Sequence, residues 1–189
     1  MESVNNQLRT RAVINAILPF IGEDSAKLID IGAGSCHISK TLSSKYGFDV
    51  TAIDVVDHNI TDLPLKLYDG SKLPYDDNSF DAGLLVFVLH HAMDTSNLIK
   101  EAGRVCKKLI VVEDIPGNSL ERQAWKRLDY LFNHARHSDI EVAHEAKSAG
   151  EWKALFKQLG YKPVKESRFR SFFTTGLSYP HAVFVFEAK

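Results

Sequence analysis

The residues with the clearest chemical potential are Asp30-Ile31-Gly32-Ala33-Gly34-Ser35, a glycine turn between an apolar run and a stretch of helical spacing. Glycine tolerates positive φ and lets a ligand come close to the backbone. A helix opening just beyond such a turn adds free N–H donors and a partial positive charge. Asp54 closes the next apolar run, about 20 residues on, the spacing of an acid that accepts hydrogen bonds from both hydroxyls of a ribose. The alternative is a tight structural turn followed by a solvent-facing acid at a loop tip. A dinucleotide fingerprint would place glycine at position 37, where this chain has His37. A side chain of that bulk hinders a diphosphate on the helix N-terminus, so these residues point to a nucleoside without a diphosphate. An NAD(P)-dependent oxidoreductase is disfavoured on the same ground.

The turn needs a strand before it and a helix after it. Lys27 to Ile31 reads as the strand, and Ile38, Leu42 and Tyr46 recur every fourth residue as the helix. Phe48 to Ile53 is a second strand, so the unit is β-α-β with a crossover helix and parallel strands. Leu65–Tyr68 and Ala82–Phe87 follow as the third and fourth strands, the fourth apolar throughout and so buried on both faces. Leu98, Ile99, Ala102, Val105 and Cys106 mark a helix, and Lys108–Glu113 a fifth strand. Ahead of all these, Val4, Leu8, Ala12, Ile14, Ile17 and Leu18 predict an amphipathic helix stopped near Pro19. Leu120, Ala124, Leu128, Leu131 and Phe132 form a further helical stripe. Ser148 and Glu151 have the capping-box spacing that opens a helix carrying Trp152, Leu155, Phe156 and Leu159, which Gly160 closes. Two strands follow, near Lys162–Phe169 and His181–Ala188. The last is apolar from Ala182 to Phe186, which suits the inside of a sheet. Alternating strands and helices of this kind make a doubly wound α/β domain.

The bulk numbers agree with one domain over residues 1–189, with 44% hydrophobic and 25% charged residues. A net charge of −1, from 23 basic and 24 acidic residues, argues against a protein that tracks nucleic-acid phosphates. Cys36 and Cys106 cannot form a disulfide framework, which suits a reduced, intracellular compartment. The first residues carry no signal-peptide pattern, and the longest apolar run, Ala82 to Leu89, falls far below the ~20 residues of a membrane span. The expectation is a cytoplasmic protein with no membrane partner.

From Lys27 to Pro116 the chain resembles the class I S-adenosylmethionine (SAM)-dependent methyltransferases, especially the small, type 11-like members that act on diverse small molecules. Five ordered motifs carry the resemblance: the Asp30–Gly34 turn, Asp54, Asp69-Gly70-Ser71-Lys72-Leu73-Pro74-Tyr75, Asp77-Asn78-Ser79-Phe80-Asp81, and Val88-Leu89-His90-His91. The resemblance implies a Rossmann-like, seven-stranded, mostly parallel sheet with the last strand antiparallel and helices on both faces. It implies SAM as cofactor and a small-molecule acceptor. It implies that Asp30, Gly32, Ala33 and Gly34 contact the amino-acid part of SAM, and that Asp54 binds the ribose. Val55 would pack on adenine, Asp69 would face its amino group with Gly70 giving a backbone contact, and Val86 and Phe87 would line the floor. Many relatives have a third glycine where this chain has Cys36.

Other residues admit two readings. His90 and His91 either touch the acceptor, one of them as a base, or cap the fourth strand and pack under the next helix. Cys36, near a helix N-terminus, could have a lowered pKa, though no partner base lies near it in sequence. His134, His137 and His144 with Glu141 and Glu145 have metal-ligand chemistry, but their spacing suits a polar rim better, so no metal is expected. Trp125, Tyr130 and Phe132 read as core or in part as the lining of a substrate pocket, and Arg168 and Arg170 beside Phe169, Phe172 and Phe173 as solvated turn residues or as an anion or RNA contact. Residues 118–147 interrupt the strand-helix alternation beyond the fifth strand and suit a substrate-side insertion or lid. Methyl transfer from SAM needs chiefly alignment, with a general base only where the acceptor must lose a proton. The rival within this reading is a non-catalytic SAM-binding or scaffold protein.

Overall fold

A computed structural model describes residues 4–22, 27–116, 121–123, 127, 147–172 and 178–188. Helices α1 (Val4–Ile21), α2 (His37–Tyr46), α3 (Thr95–Val105) and α4 (Ala149–Gln158) flank strands β1 (Lys27–Ile31), β2 (Asp49–Asp54), β3 (Leu65–Leu67), β4 (Phe80–Val86), β5 (Cys106–Asp114), β6 (Tyr161–Phe172) and β7 (Ser178–Ala188). The strands form one sheet in the order β3-β2-β1-β4-β5-β7-β6. β1 to β5 run parallel, and β7 lies antiparallel between β5 and β6. This is the expected Rossmann-like sheet, with the last strand inside it and buried from His181 to Phe186.

Side chains alternate across each strand, so the sheet supplies two cores. Leu28, Leu84, Val86, Ile110, Val112 and Val183 pack against α1 and α2. Ile29, Ile31, Leu85, Val111, Phe184 and Phe186 pack against α3 and α4. On the second face Trp152 and Phe156 of α4 are fully buried, and Phe156 stacks on Phe186 with ring centroids 3.8 Å apart. The Ser148–Glu151 capping box is present at the start of α4.

Some boundaries depart from the sequence reading. α1 runs past Pro19 to Ile21, because Ile17 and Ile21 are both fully buried and hold the last turn onto the core. The proline removes one hydrogen bond, to the carbonyl of Asn15 on the exposed face, where water can replace it. Cys106 leaves the helix and opens β5, where it pairs with Phe80 of β4. β6 extends to Phe172, and its Pro163 sits at a register shift on an edge strand, where a missing N–H is tolerated.

The parallel strands point their carboxyl ends to one edge. The chain leaves β1 toward β2 on one side, while β4 pairs with β1 on the other, and a crevice opens at such a switch point. Residues 118–147, read as an insertion or lid, lie outside the described residues apart from Glu121–Gln123, Arg127 and Lys147. Among the described residues, no helix is long and apolar enough to cross a membrane.

Candidate active site

At the switch point the glycine turn is built from backbone. The amides of Gly32 and Ala33 donate to the carbonyl of Ile53 at 2.9 and 3.2 Å, tying the end of β1 to β2. Gly32 and Gly34 have φ of 76° and 50°. A Cβ on Gly32 would run into the side chain of Val88, so this glycine is needed for packing. A Cβ on Gly34 would meet nothing within 4 Å, so space opens there against bare backbone. Cys36, at the N-cap of α2, has φ of 60° and makes no side-chain cap. That left-handed conformation explains why a glycine suits the position.

Asp54 is half-buried and is not a free loop tip. Its Oδ2 accepts from Gly34 N–H at 2.7 Å, and its Oδ1 from Val55 and Val56 N–H at 2.7 and 3.3 Å. The carboxylate therefore sets the position of the turn as well as facing the crevice. Val55 is 48% exposed and packs close to Gly70, whose added Cβ would lie 3.2 Å from it. Asp69 accepts from the amides of Ser71 and Lys72 at 2.9 and 3.4 Å, and hydrogen bonding from the Ser71 side chain, then from these amides, holds its carboxyl below the ordinary range. Asp54, Val55, Asp69 and Gly70 thus come together at the ends of β2 and β3.

Asp30 lies beneath the turn, 2% exposed, accepting a hydrogen bond from the Ser39 hydroxyl. Burial raises its pKa to about 6 against the lowering effect of Ser39, with the Asp54 charge adding to the rise. Cys36 overturns the expectation of a lowered pKa. Burial and the charges of Asp30, Asp54 and Asp57 push its thiol up to about 12, which leaves it unreactive.

Val86 is almost fully buried in the core facing α1. Phe87, with φ of 54°, turns toward the β5–β7 side. Its ring lies between the Arg9 guanidinium, 4.3 Å away, and the His181 ring, 5.0 Å away. Val88, which the sequence reading named within a motif without giving it a role, is the residue that meets the glycine turn.

His90 is 3% exposed, with Nδ1 2.5 Å from Glu113 Oε2, and Oε1 of the same glutamate accepts from Leu89 N–H at 2.8 Å. Glu113 therefore clamps the loop after β4. The His91 ring lies 4.0 Å from that of His90.

A second buried polar group was missed entirely. Asp114 ends β5, His181 faces it across the β5–β7 register, and Ser171 lies on β6 beyond. His181 Nδ1 is 2.6 Å from Asp114 Oδ1, and its Nε2 is 2.6 Å from Ser171 Oγ. The available signal was weak: two acids ending an apolar strand, and one histidine opening another.

Arg168 is exposed and paired with Glu166 at 3.1 Å. With Arg170, Ile115, Glu121, Phe169 and Pro180 it lines a shallow groove of about 440 Å³. The histidine and glutamate cluster of residues 134–145, and Trp125, Tyr130 and Phe132, lie outside the described residues. Among the described residues, no group of three or more His, Cys, Asp or Glu side chains could hold a metal ion.

A family described as a methyltransferase domain matches residues 29–109, the stretch that builds this crevice. Over that stretch the chain is similar to SAM-dependent methyltransferases. It is 24% identical over 157 residues to the uncharacterized methyltransferase YcgJ of Bacillus subtilis, covering 74% of this chain and 59% of that protein. The chain spans less than two thirds of the length of the curated relatives it matches. A SAM-dependent methyltransferase from Methanosarcina mazei shares the fold, with a TM-score of 0.69 at 22% identity over 91% of this chain and 96% of that one. The cyclase SpnF shares it too, with a TM-score of 0.69 at 13% identity over 96% and 81%. Methyltransferase folds of this kind therefore carry more than one chemistry.

Proposed function

We infer that this chain transfers the methyl group of SAM to a small-molecule acceptor, with residues 1–189 acting as one domain. The observation that carries the reading is the open space over Gly34, bounded by an acid that already holds the turn. Bare backbone at positive φ admits a ligand that any side chain would displace. Gly32, Ala33 and Gly34 would lie along the amino-acid part of SAM, with Asp30 beneath them. Asp54 would accept from the ribose hydroxyls through its remaining lone pairs. Val55 and Gly70 would bracket adenine, with Asp69 toward its amino group and Val86 and Phe87 below. When bound, SAM supplies a methyl group already activated by its sulfonium. The protein's part would be to align the acceptor and keep water out, a role the 118–147 segment, which follows β5 in the sequence, would share.

A second reading is a SAM binder without methyl-transfer turnover. It is favoured by the commitment of His90 to Glu113 and by the cyclase among the fold neighbours. Calorimetric titration with SAM, S-adenosylhomocysteine (SAH) and NADH tests the cofactor. SAM and SAH should bind and NADH should not; binding of NADH alone would overturn the reading. Production of SAH with a panel of small acceptors then separates enzyme from binder.

A further inference from the structure

The cluster of Asp114, His181 and Ser171 has no place in the cofactor cradle, yet it lies at the edge where the cradle opens. Asp114 closes β5 and His181 pairs with it in register, with Val112 and Val183 filling the next positions of the same face. Three hydrogen-bonding side chains on an otherwise apolar face cost desolvation that an aliphatic replacement would avoid. Their position beside the site is continuous. Gly32 abuts Val88, the adjacent Phe87 places its ring 5.0 Å from that of His181, and Phe169 covers the other side at 4.9 Å.

The order of the hydrogen bonds gives the group a direction. Burial raises the pKa of Asp114, but the hydrogen bond from His181, and the neighbouring His181, His90 and Arg9, outweigh it and hold the carboxyl below the ordinary range. An ionised carboxylate only accepts, so His181 Nδ1 carries the proton in this bond. In the neutral imidazole Nε2 then has a lone pair aimed at the Ser171 hydroxyl. Among the described residues the charged or titratable groups around the cluster include Arg9 on α1, His90 after β4, Tyr179 on β7, and Glu121 near Tyr179.

We propose that Asp114, His181 and Ser171 form a proton relay that deprotonates a neutral hydroxyl acceptor, alcoholic or phenolic, held against Phe87. This rests on the methyl-transfer reading above. As the acceptor oxygen forms its bond to the methyl carbon, the carbon–sulfur bond breaks and its electron pair stays on sulfur. The acceptor's proton passes to Ser171 Oγ while the proton of Ser171 passes to His181 Nε2. The resulting imidazolium is stabilised by Asp114 and returns its proton to water after product leaves. A carboxylate or thiolate acceptor would need no such base.

The relay is tested on the full chain labelled with ¹⁵N-histidine, with the His181 resonances assigned by loss in His181→Gln. With SAH bound at pH 8, His181 should be the neutral Nδ1–H tautomer with Nε2 bare. With SAM bound, its titration midpoint should fall relative to the SAH complex, because the positive sulfonium of a SAM bound beside the relay would disfavour the imidazolium and the neutral sulfur of SAH would not. A purely structural cluster remote from the methyl group would titrate alike in both complexes. A protonated Nε2 at pH 8 in the SAH complex, or equal midpoints with SAM and SAH, would overturn the relay and leave the cofactor reading standing. Calorimetry showing that neither SAM nor SAH binds would overturn both.

Discussion

Replacing Asp30 by asparagine should stabilise the ligand-free protein at neutral pH, and the gain should vanish as the pH falls. The carboxyl is 2% exposed, and its pKa rises from the ordinary 3.8 to about 6, first through burial. A folded-state pKa above the unfolded value means that the native state holds its proton more tightly. Ionisation of Asp30 therefore takes stability away as pH rises from about 4 through 6, and the loss is complete above that. Converted at about 1.4 kcal/mol per pKa unit, the full loss is about 3 kcal/mol at pH 7.5 and close to zero at pH 3. Asparagine cannot ionise, so it escapes this loss. It can still accept from the Ser39 hydroxyl, but its amide N–H₂ needs a new partner, which costs about 1–2 kcal/mol at any pH. That fixed cost cancels when the stability difference between variant and wild type is followed with pH. Urea unfolding at pH 4 and pH 7.5 should show the difference shifting in favour of the variant by about 2 kcal/mol. A difference that stays flat over this range would refute the assignment of a buried, raised carboxyl. The same substitution should weaken SAM binding above pH 6, because the carboxylate proposed to meet the amino-acid part of SAM loses its charge.

Gly34→Val should fold yet lose SAM affinity by at least about tenfold in calorimetry, since its side chain fills the open space over the turn; wild-type affinity would place the cofactor elsewhere. Asp54→Ala should weaken SAM binding by about 2–4 kcal/mol through loss of charge-assisted hydrogen bonds. It should also lower the melting temperature, because the Gly34, Val55 and Val56 amides lose their acceptor. Cys36→Gly should stay within about 1 kcal/mol of wild type, because relief at φ of 60° offsets the lost burial. Cys36→Val should cost more than about 2 kcal/mol in denaturant unfolding, a β-branched residue being a poor fit there. Gly83→Ala should destabilise by about 1–3 kcal/mol without changing SAM affinity, as its Cβ would sit 2.7 Å from Cys106 Sγ in the core.

The glycine turn and the elements around it were legible because their signals are local. Strand, glycine turn and helix follow one another from Lys27 to Tyr46, and Asp54 lies at the next strand end. The capping box was equally plain, since Ser148 and Glu151 satisfy each other over one helical turn. Boundaries set by burial were less so: Ile21 carries α1 past a proline, and pairing with β4 claims Cys106 for a strand. The Asp114–His181 contact joins residues 67 apart, and sheet order alone brings them together. His90 and Glu113, 23 apart, meet for the same reason. Periodicity names the face a residue occupies, but not the neighbour that three strands of crossovers will deliver.

The placement of β7 between β5 and β6 also governs how the chain can be made. Among the described residues β6 has no sheet partner except β7, and β5 has an open edge until β7 arrives. The two last strands must therefore pair as a hairpin and dock together, inserting one arm into a sheet already assembled from residues 27–114. Until residues 178–188 have left the ribosome, the apolar edge Leu109–Val112 stays bare, the kind of template on which chains pair with one another. Synthesis that stalls after β6 would thus hand a chaperone, or an aggregate, an unfinished sheet.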